Sequence, residues 1–197
     1  MIVETAFDPV GAWWFEVEDV GIPLSAEDWR AVTHVLSLCE GCLKATNALF
    51  VEQVVVTAAG GVETEFVLSP GQGLAALLAA IQTAVPALFV IVLRGHTKLN
   101  SQEAVVRGAV EFEAHLAGRI QLSVKVFSDD WLPYTLTGTP QLEAASANAP
   151  ILAEALHALE DAFGKQFNFE TSTRYAVVEH YGLDNARDYD GDLVGLE

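Results

Sequence analysis

The chain has 197 residues and a mass of 21.2 kDa; 51% of its residues are hydrophobic and 19% charged, which suits one domain with a sizeable core and excludes intrinsic disorder. Twenty-seven acids against ten bases leave a formal net charge of −17, a surface that repels phosphate backbones and anionic lipid and so excludes nucleic acid and membrane surfaces as natural partners. Two cysteines, Cys39 and Cys42, are too few for a secreted disulfide scaffold.

The first residues carry neither the basic region nor the apolar run of a signal peptide, so the expectation is a cytoplasmic protein. Trp13 to Val20 reads as a strand, with Trp13, Phe15 and Val17 on one face and Glu16 and Glu18 on the other. Ser25 and Asp28 then form a capping-box pattern. The helix they open has Trp29, Val32, Leu36 and Cys39 on its inner face and ends near the cysteines. Leu49 to Thr57 and Val62 to Leu68 form a hairpin through Ala59-Gly60-Gly61, where glycine permits positive φ. Ser69-Pro70-Gly71-Gln72 reads as the next helix start, with Ser69 as N-cap and Pro70 in the first turn.

Leu74 to Leu93 has a mean hydropathy of about +2, a value that raises the question of a membrane span. Pro86 divides it. Before Pro86, Leu74, Leu77, Leu78, Ile81 and Val85 keep helical spacing; after it, Leu88 to Leu93 is a β-rich run of strand length. A helix leading into a buried strand accounts for both halves, as a βαβ unit with a right-handed crossover if the flanking strands are parallel.

Val105 to Glu113 reads as one strand, with Val110 and Phe112 inward and Glu111 and Glu113 outward. Its hairpin partner alternates Ile120, Leu122, Val124 and Val126 with Arg119, Gln121, Ser123 and Lys125, so opposite charges can pair across the outer faces. Pro140 to Phe163 is helical, with a stripe of Leu152, Leu156, Leu159 and Phe163. Pro150 marks a kink or a second start, and Gly164 a C-cap. Residues 168–197 form a polar, acidic C-terminal segment. The expected fold is one α+β domain over 1–197: a mixed, mostly antiparallel sheet of five to six strands with helices packed on it.

Motifs for chemistry are sparse. Cys39-Glu40-Gly41-Cys42 lies at a helix C-terminus, where the dipole disfavours a thiolate, and the expectation is a buried small hydrophobe plus a loop thiol. Pro70-Gly71-Gln72-Gly73 lacks both the dinucleotide and the P-loop pattern, so no nucleotide cofactor is expected. Asp188, Asp190 and Asp192 with Glu197 imitate part of a calcium loop, but Ala186 occupies the first ligand position and no exit helix follows, so no metal is expected. No hydrolase signature or paired-histidine spacing is present.

The candidate partner-binding residues are Asp129, Asp130, Trp131 and Tyr134, together with Asp188, Tyr189, Asp190 and Asp192. Aromatic rings beside carboxylates combine area that a partner can desolvate with charge that steers it. The bland alternative folds Trp131 and Tyr134 onto the core with the aspartates solvated.

Asp130-Trp131-Leu132-Pro133-Tyr134, followed by Gly138, Gln141 and Asn148-Ala149-Pro150 ahead of an Ala/Leu helix, resembles a segment of small acidic bacterial proteins, the immunity proteins of polymorphic toxin systems. The resemblance covers the last third of the chain and implies a cytoplasmic, non-catalytic α+β protein that neutralises a partner by binding. It carries over no binding residue. Three readings follow: an acidic protein docking a basic protein partner; a small enzyme whose Asp129, Asp130, His157 or His180 meet only in the fold; and a self-associating homo-oligomer subunit.

Overall fold

A computed structural model describes residues 8–22, 24–58, 60–85, 88–100 and 105–194. Pro86, Ala59 and Glu197, which enter the sequence reading, lie outside these residues.

Strand β1 (Gly11–Asp19) alternates as its sequence requires, with Trp13 and Phe15 buried and Glu16 and Glu18 exposed. Helix α1 (Ala26–Ala45) starts on a complete capping box. The Ser25 hydroxyl accepts from the Asp28 N–H at 3.2 Å, and the Asp28 carboxylate accepts from the Ser25 N–H at 2.7 Å. Strands β2 (Phe50–Ala58) and β3 (Glu63–Val67) form the expected hairpin, with Gly60 and Gly61 at φ +97° and +78° in its turn.

Ser69 to Gln72 is not the first turn of a helix. The Gln72 N–H donates to the Ser69 carbonyl at 2.9 Å and Gly71 has φ +82°, the hydrogen bond and positive φ of a type II turn with proline at its second position. Gln72 does reach back, its side-chain oxygen accepting from the Ser69 N–H at 3.1 Å, but helix α2 (Leu74–Ala84) starts only after Gly73.

Strand β4 (Leu88–Lys98) runs five residues beyond the apolar segment that announced it. The single strand expected over Val105 to Glu113 is two: β5 (Val105–Arg107), which among the described residues pairs only with β4, and β6 (Val110–Leu116), which pairs with β4 and with β7 (Arg119–Val126). Gly108, at φ +69°, makes the break. A 3-10 turn at Asp129–Trp131 leads to α3 (Leu142–Phe163), one helix that contains Pro150 and ends on Gly164 at φ 61°. Then come β8 (Asn168–Phe169), β9 (Ala176–Glu179) and β10 (Gly182–Asn185).

The fold is α+β. Among the described residues an eight-stranded sheet runs β3-β2-β4-β6-β7-β1-β8, with β5 alongside β4, and β9 and β10 form a separate two-stranded sheet. This exceeds the five to six strands expected, because β5 split from β6 and the polar C-terminal segment supplied three strands of its own. Every strand pairing is antiparallel. β3 and β4 run in the same direction only because both pair antiparallel with β2, which lies between them.

One sheet face, built from Trp13, Phe15, Val54, Val56, Ile91, Leu93, Phe112, Leu122 and Val124, joins a core with the buried stripes of the three helices. The other face carries the polar residues of the alternation. There Glu16 pairs with Arg119, Glu111 with Arg94, Glu113 with Lys125, and Glu52 with both His96 and Arg107. No helix among the described residues is long and apolar enough to cross a membrane.

Candidate functional site

Ser128 to Tyr134 folds inward. Ser128, Asp129, Asp130, Trp131 and Leu132 are all buried. The Asp129 carboxylate accepts from the Leu136 N–H at 2.8 Å, and the Ser128 hydroxyl bonds the Asp130 carboxylate. Burial pushes the Asp130 carboxyl above its ordinary range, against the opposing pull of that hydroxyl. The Trp131 indole N–H donates to the Asn148 carbonyl at 3.1 Å, and the Asn148 amide donates to the Asp130 carbonyl at 3.0 Å. Gln141 donates to the carbonyls of Asp129 and Leu132 at 2.6 and 3.0 Å.

Asp130, Trp131, Gln141 and Asn148, which carry the sequence resemblance, are therefore the residues that tie this loop to α3. Asp129, Asp130 and Trp131 are corrected from partner-facing to internal. The two aspartates sit in a 3-10 turn, and neither is solvated.

Tyr134 is half-buried, and Asn185 at the end of β10 brackets its backbone. The Asp188–Asp192 turn begins three residues further on, so the fold brings the two candidate segments together. That turn is self-supporting. The Asp188 carboxylate accepts from the N–H groups of Asp190 and Asp192 at 2.9 and 3.0 Å, and the Asp188 N–H donates to the Asp192 carbonyl at 2.9 Å. Arg187 and Leu193 bridge below it, and Arg187 donates to the Gly191 carbonyl at 2.9 Å. Asp188, Tyr189, Asp190 and Asp192 are all exposed, and Tyr189 is 104% accessible. The only carboxylate oxygen engaged within the turn is on Asp188, and it holds the turn's own backbone.

The residue that sequence reasoning missed is Glu160. It is buried on α3 and accepts from three donors: the Tyr181 hydroxyl at 2.6 Å, His180 Nε2 at 2.8 Å and the Phe167 N–H at 2.7 Å. Burial alone would raise its carboxyl; the hydrogen bonds from Tyr181, Phe167 and His180, with the charge of His180, outweigh burial and hold it below the usual range. The same contact pushes the Tyr181 hydroxyl up. His157 packs its ring on Tyr181, with centroids 3.6 Å apart.

His180 and Tyr181 form the two-residue loop of the β9–β10 hairpin, so Glu160 staples that hairpin to α3. Beside it lies a pocket of about 410 Å³ lined by Trp131, Leu152, His180, Tyr181 and Leu183. Of the four residues considered for an enzyme, His157 and His180 come together through Tyr181, while Asp129 and Asp130 are chain neighbours in the buried 3-10 turn.

Cys39 is buried and Cys42 half-buried; both are free, and burial pushes both thiols up. Because α1 continues to Ala45, Cys42 is a helical residue with its thiol toward the Ala158 carbonyl, not a loop thiol. No group of three or more potential metal ligands gathers among the described residues. No family model, no curated protein and no solved structure matches this chain.

Proposed function

We propose that this protein is a non-catalytic, acidic binding protein that neutralises a basic protein partner by direct contact, in the manner that the resemblance to toxin-immunity proteins implies. The observation that carries the reading is Tyr189. It is a fully exposed aromatic ring on a turn fixed by its own hydrogen bonds, with carboxylates on both sides. A residue whose backbone is already fixed in the free protein loses less conformational freedom when a partner covers it. The surrounding charge speeds encounter with a cationic surface and penalises acidic competitors.

Electrostatics elsewhere favour the same surface. On the open sheet face, Glu16, Glu52, Glu111 and Glu113 each have a cation, so those pairs cancel and the surplus charge lies on carboxylates that have no ion pair among the described residues, including those of the Asp188–Asp192 turn. The Glu160 group is a poor general base because its carboxylate already accepts three hydrogen bonds and its proton affinity is reduced. That favours a structural role for it over the enzyme reading.

The test is a pull-down from the protein's own lysate with the full chain as bait, at low and high salt. A basic protein retained at low salt, released at high salt and lost with Tyr189→Ala is the expected result. Recovery of no basic protein, or of one indifferent to both salt and Tyr189, overturns the reading.

A further inference from the structure

The two edges of the large sheet are finished differently. At the β1 edge, β8 pairs only with Trp13 and Trp14. Beyond it the Lys165 ammonium donates to the carbonyls of Glu16 and Val17 at 2.5 and 3.0 Å, covering acceptors that another strand would need. The β3 edge has no such cover: among the described residues β3 pairs with β2 and with nothing on its other side.

The direction of its free groups follows from the ladder. The Ala58 N–H donates to the Val62 carbonyl and the Leu68 N–H to the Glu52 carbonyl, so Val62 and Leu68 point their backbone at β2. By the two-residue alternation of an antiparallel pair, Thr64 and Phe66 do the same, and Glu63, Glu65 and Val67 present N–H and C=O outward. All three are exposed, Val67 at 65%, and Val62 beside them at 63%.

Charge then selects the occupant. Glu16, Glu111 and Glu113 each meet a cation from a neighbouring strand and Glu52 meets Arg107 of β5, whereas Glu63 and Glu65 have no cationic partner among the described residues. A second β3 strand is a poor fit, because antiparallel pairing centred on Glu65 would set carboxylate against carboxylate.

We propose that the β3 edge accepts an extended cationic segment of another protein by strand addition, at a surface separate from the Tyr189 turn. In antiparallel register the segment places an apolar residue opposite Val67 and lysine or arginine opposite Glu65 and then Glu63. Its pattern is apolar-x-basic-x-basic, and its side chains continue the row of ion pairs that crosses the inner strands.

The probe is the synthetic peptide Thr-Val-Thr-Lys-Thr-Lys-Thr, titrated into the full-length protein and followed by backbone amide shifts. Saturable binding with shifts centred on Glu63, Glu65 and Val67 is expected. Exchanging both lysines for glutamates should weaken it at least about tenfold. The double variant Glu63→Lys, Glu65→Lys should reverse that preference. Glu65→Pro removes an outward N–H without touching the β2 ladder and should abolish binding; should it unfold the edge, the charge-reversed variant decides. Absence of binding, equal binding in the charge-reversed variant, or shifts confined to Asp188–Asp192 would overturn the proposal. The pull-down that depends on Tyr189 is untouched by any of these results, so the two readings fail separately.

Discussion

Asn185 holds the backbone of Tyr134 from both directions: its side-chain oxygen accepts the Tyr134 N–H at 2.8 Å, and its amide donates to the Tyr134 carbonyl at 3.0 Å. Two segments about fifty residues apart in the chain are thereby locked together, and the acidic turn inherits a fixed base. Asn185 is buried, so neither of the Tyr134 groups has ready water in its place. Asn185→Ala should cost about 1–3 kcal/mol. Chemical denaturation measures that loss, and the amide protons of 186–194 should exchange faster in the variant.

Glu160 makes stability pH-dependent with a definite sign. Its folded-state pKa lies below the ordinary value, so in the acid range the unfolded chain binds the proton more readily. The stabilisation is complete above about pH 4.3 and drains away as pH falls through the lower folded value. Glu160→Gln should lower stability by about 2 kcal/mol at neutral pH and flatten the acid limb of the unfolding curve. Thermal unfolding of both proteins between pH 3 and pH 7, a window chosen around the ordinary carboxylate value, checks the slope.

Gly95 is fixed by close approach rather than by its φ. A Cβ built there would lie 1.8 Å from the Phe50 carbonyl oxygen, where β2 bulges against β4 between Val51 and Gln53. Backbone cannot swing aside as a side-chain tip can. Gly95→Ala should therefore destabilise by about 3 kcal/mol or more, or leave the protein insoluble. Gly41, where an added methyl meets nothing within 4 Å, is the control, and Gly41→Ala should fold normally.

Tyr189→Ala separates recognition from folding. The ring is fully exposed, so its removal should change stability by less than about 0.5 kcal/mol while abolishing retention of the basic partner. Equal unfolding midpoints for the variant and the parent are the check on the first half of that expectation.

Local signals made much of the fold legible. The Ser25–Asp28 capping box, the Gly164 terminus and the alternation of Ile120 to Val126 each act within a few residues, so sequence alone exposes them. What failed were features set by partners distant in the chain. Val105 to Glu113 looked continuous because β5 and β6 share a strand-like composition; the positive φ of Gly108 divides them, and β6 alone of the two goes on to pair with β7.

Asp129 and Asp130 looked solvent-facing because paired acids usually are, yet the Leu136 N–H meets the Asp129 carboxylate, the Ser128 hydroxyl the Asp130 carboxylate, and Gln141 and Asn148 the backbone carbonyls of the pair. Glu160 did leave a trace. It lies four residues after Leu156 and three before Phe163, a carboxylate on an otherwise apolar stripe, where burial requires partners to satisfy it.

The Lys165 ammonium over the carbonyls of Glu16 and Val17 limits how far the sheet can grow. Filaments need two sticky ends on every unit, one to receive and one to be received. With one end closed, the molecule can take up a single guest strand and then stop, remaining a discrete complex at concentrations where a doubly open sheet would polymerise.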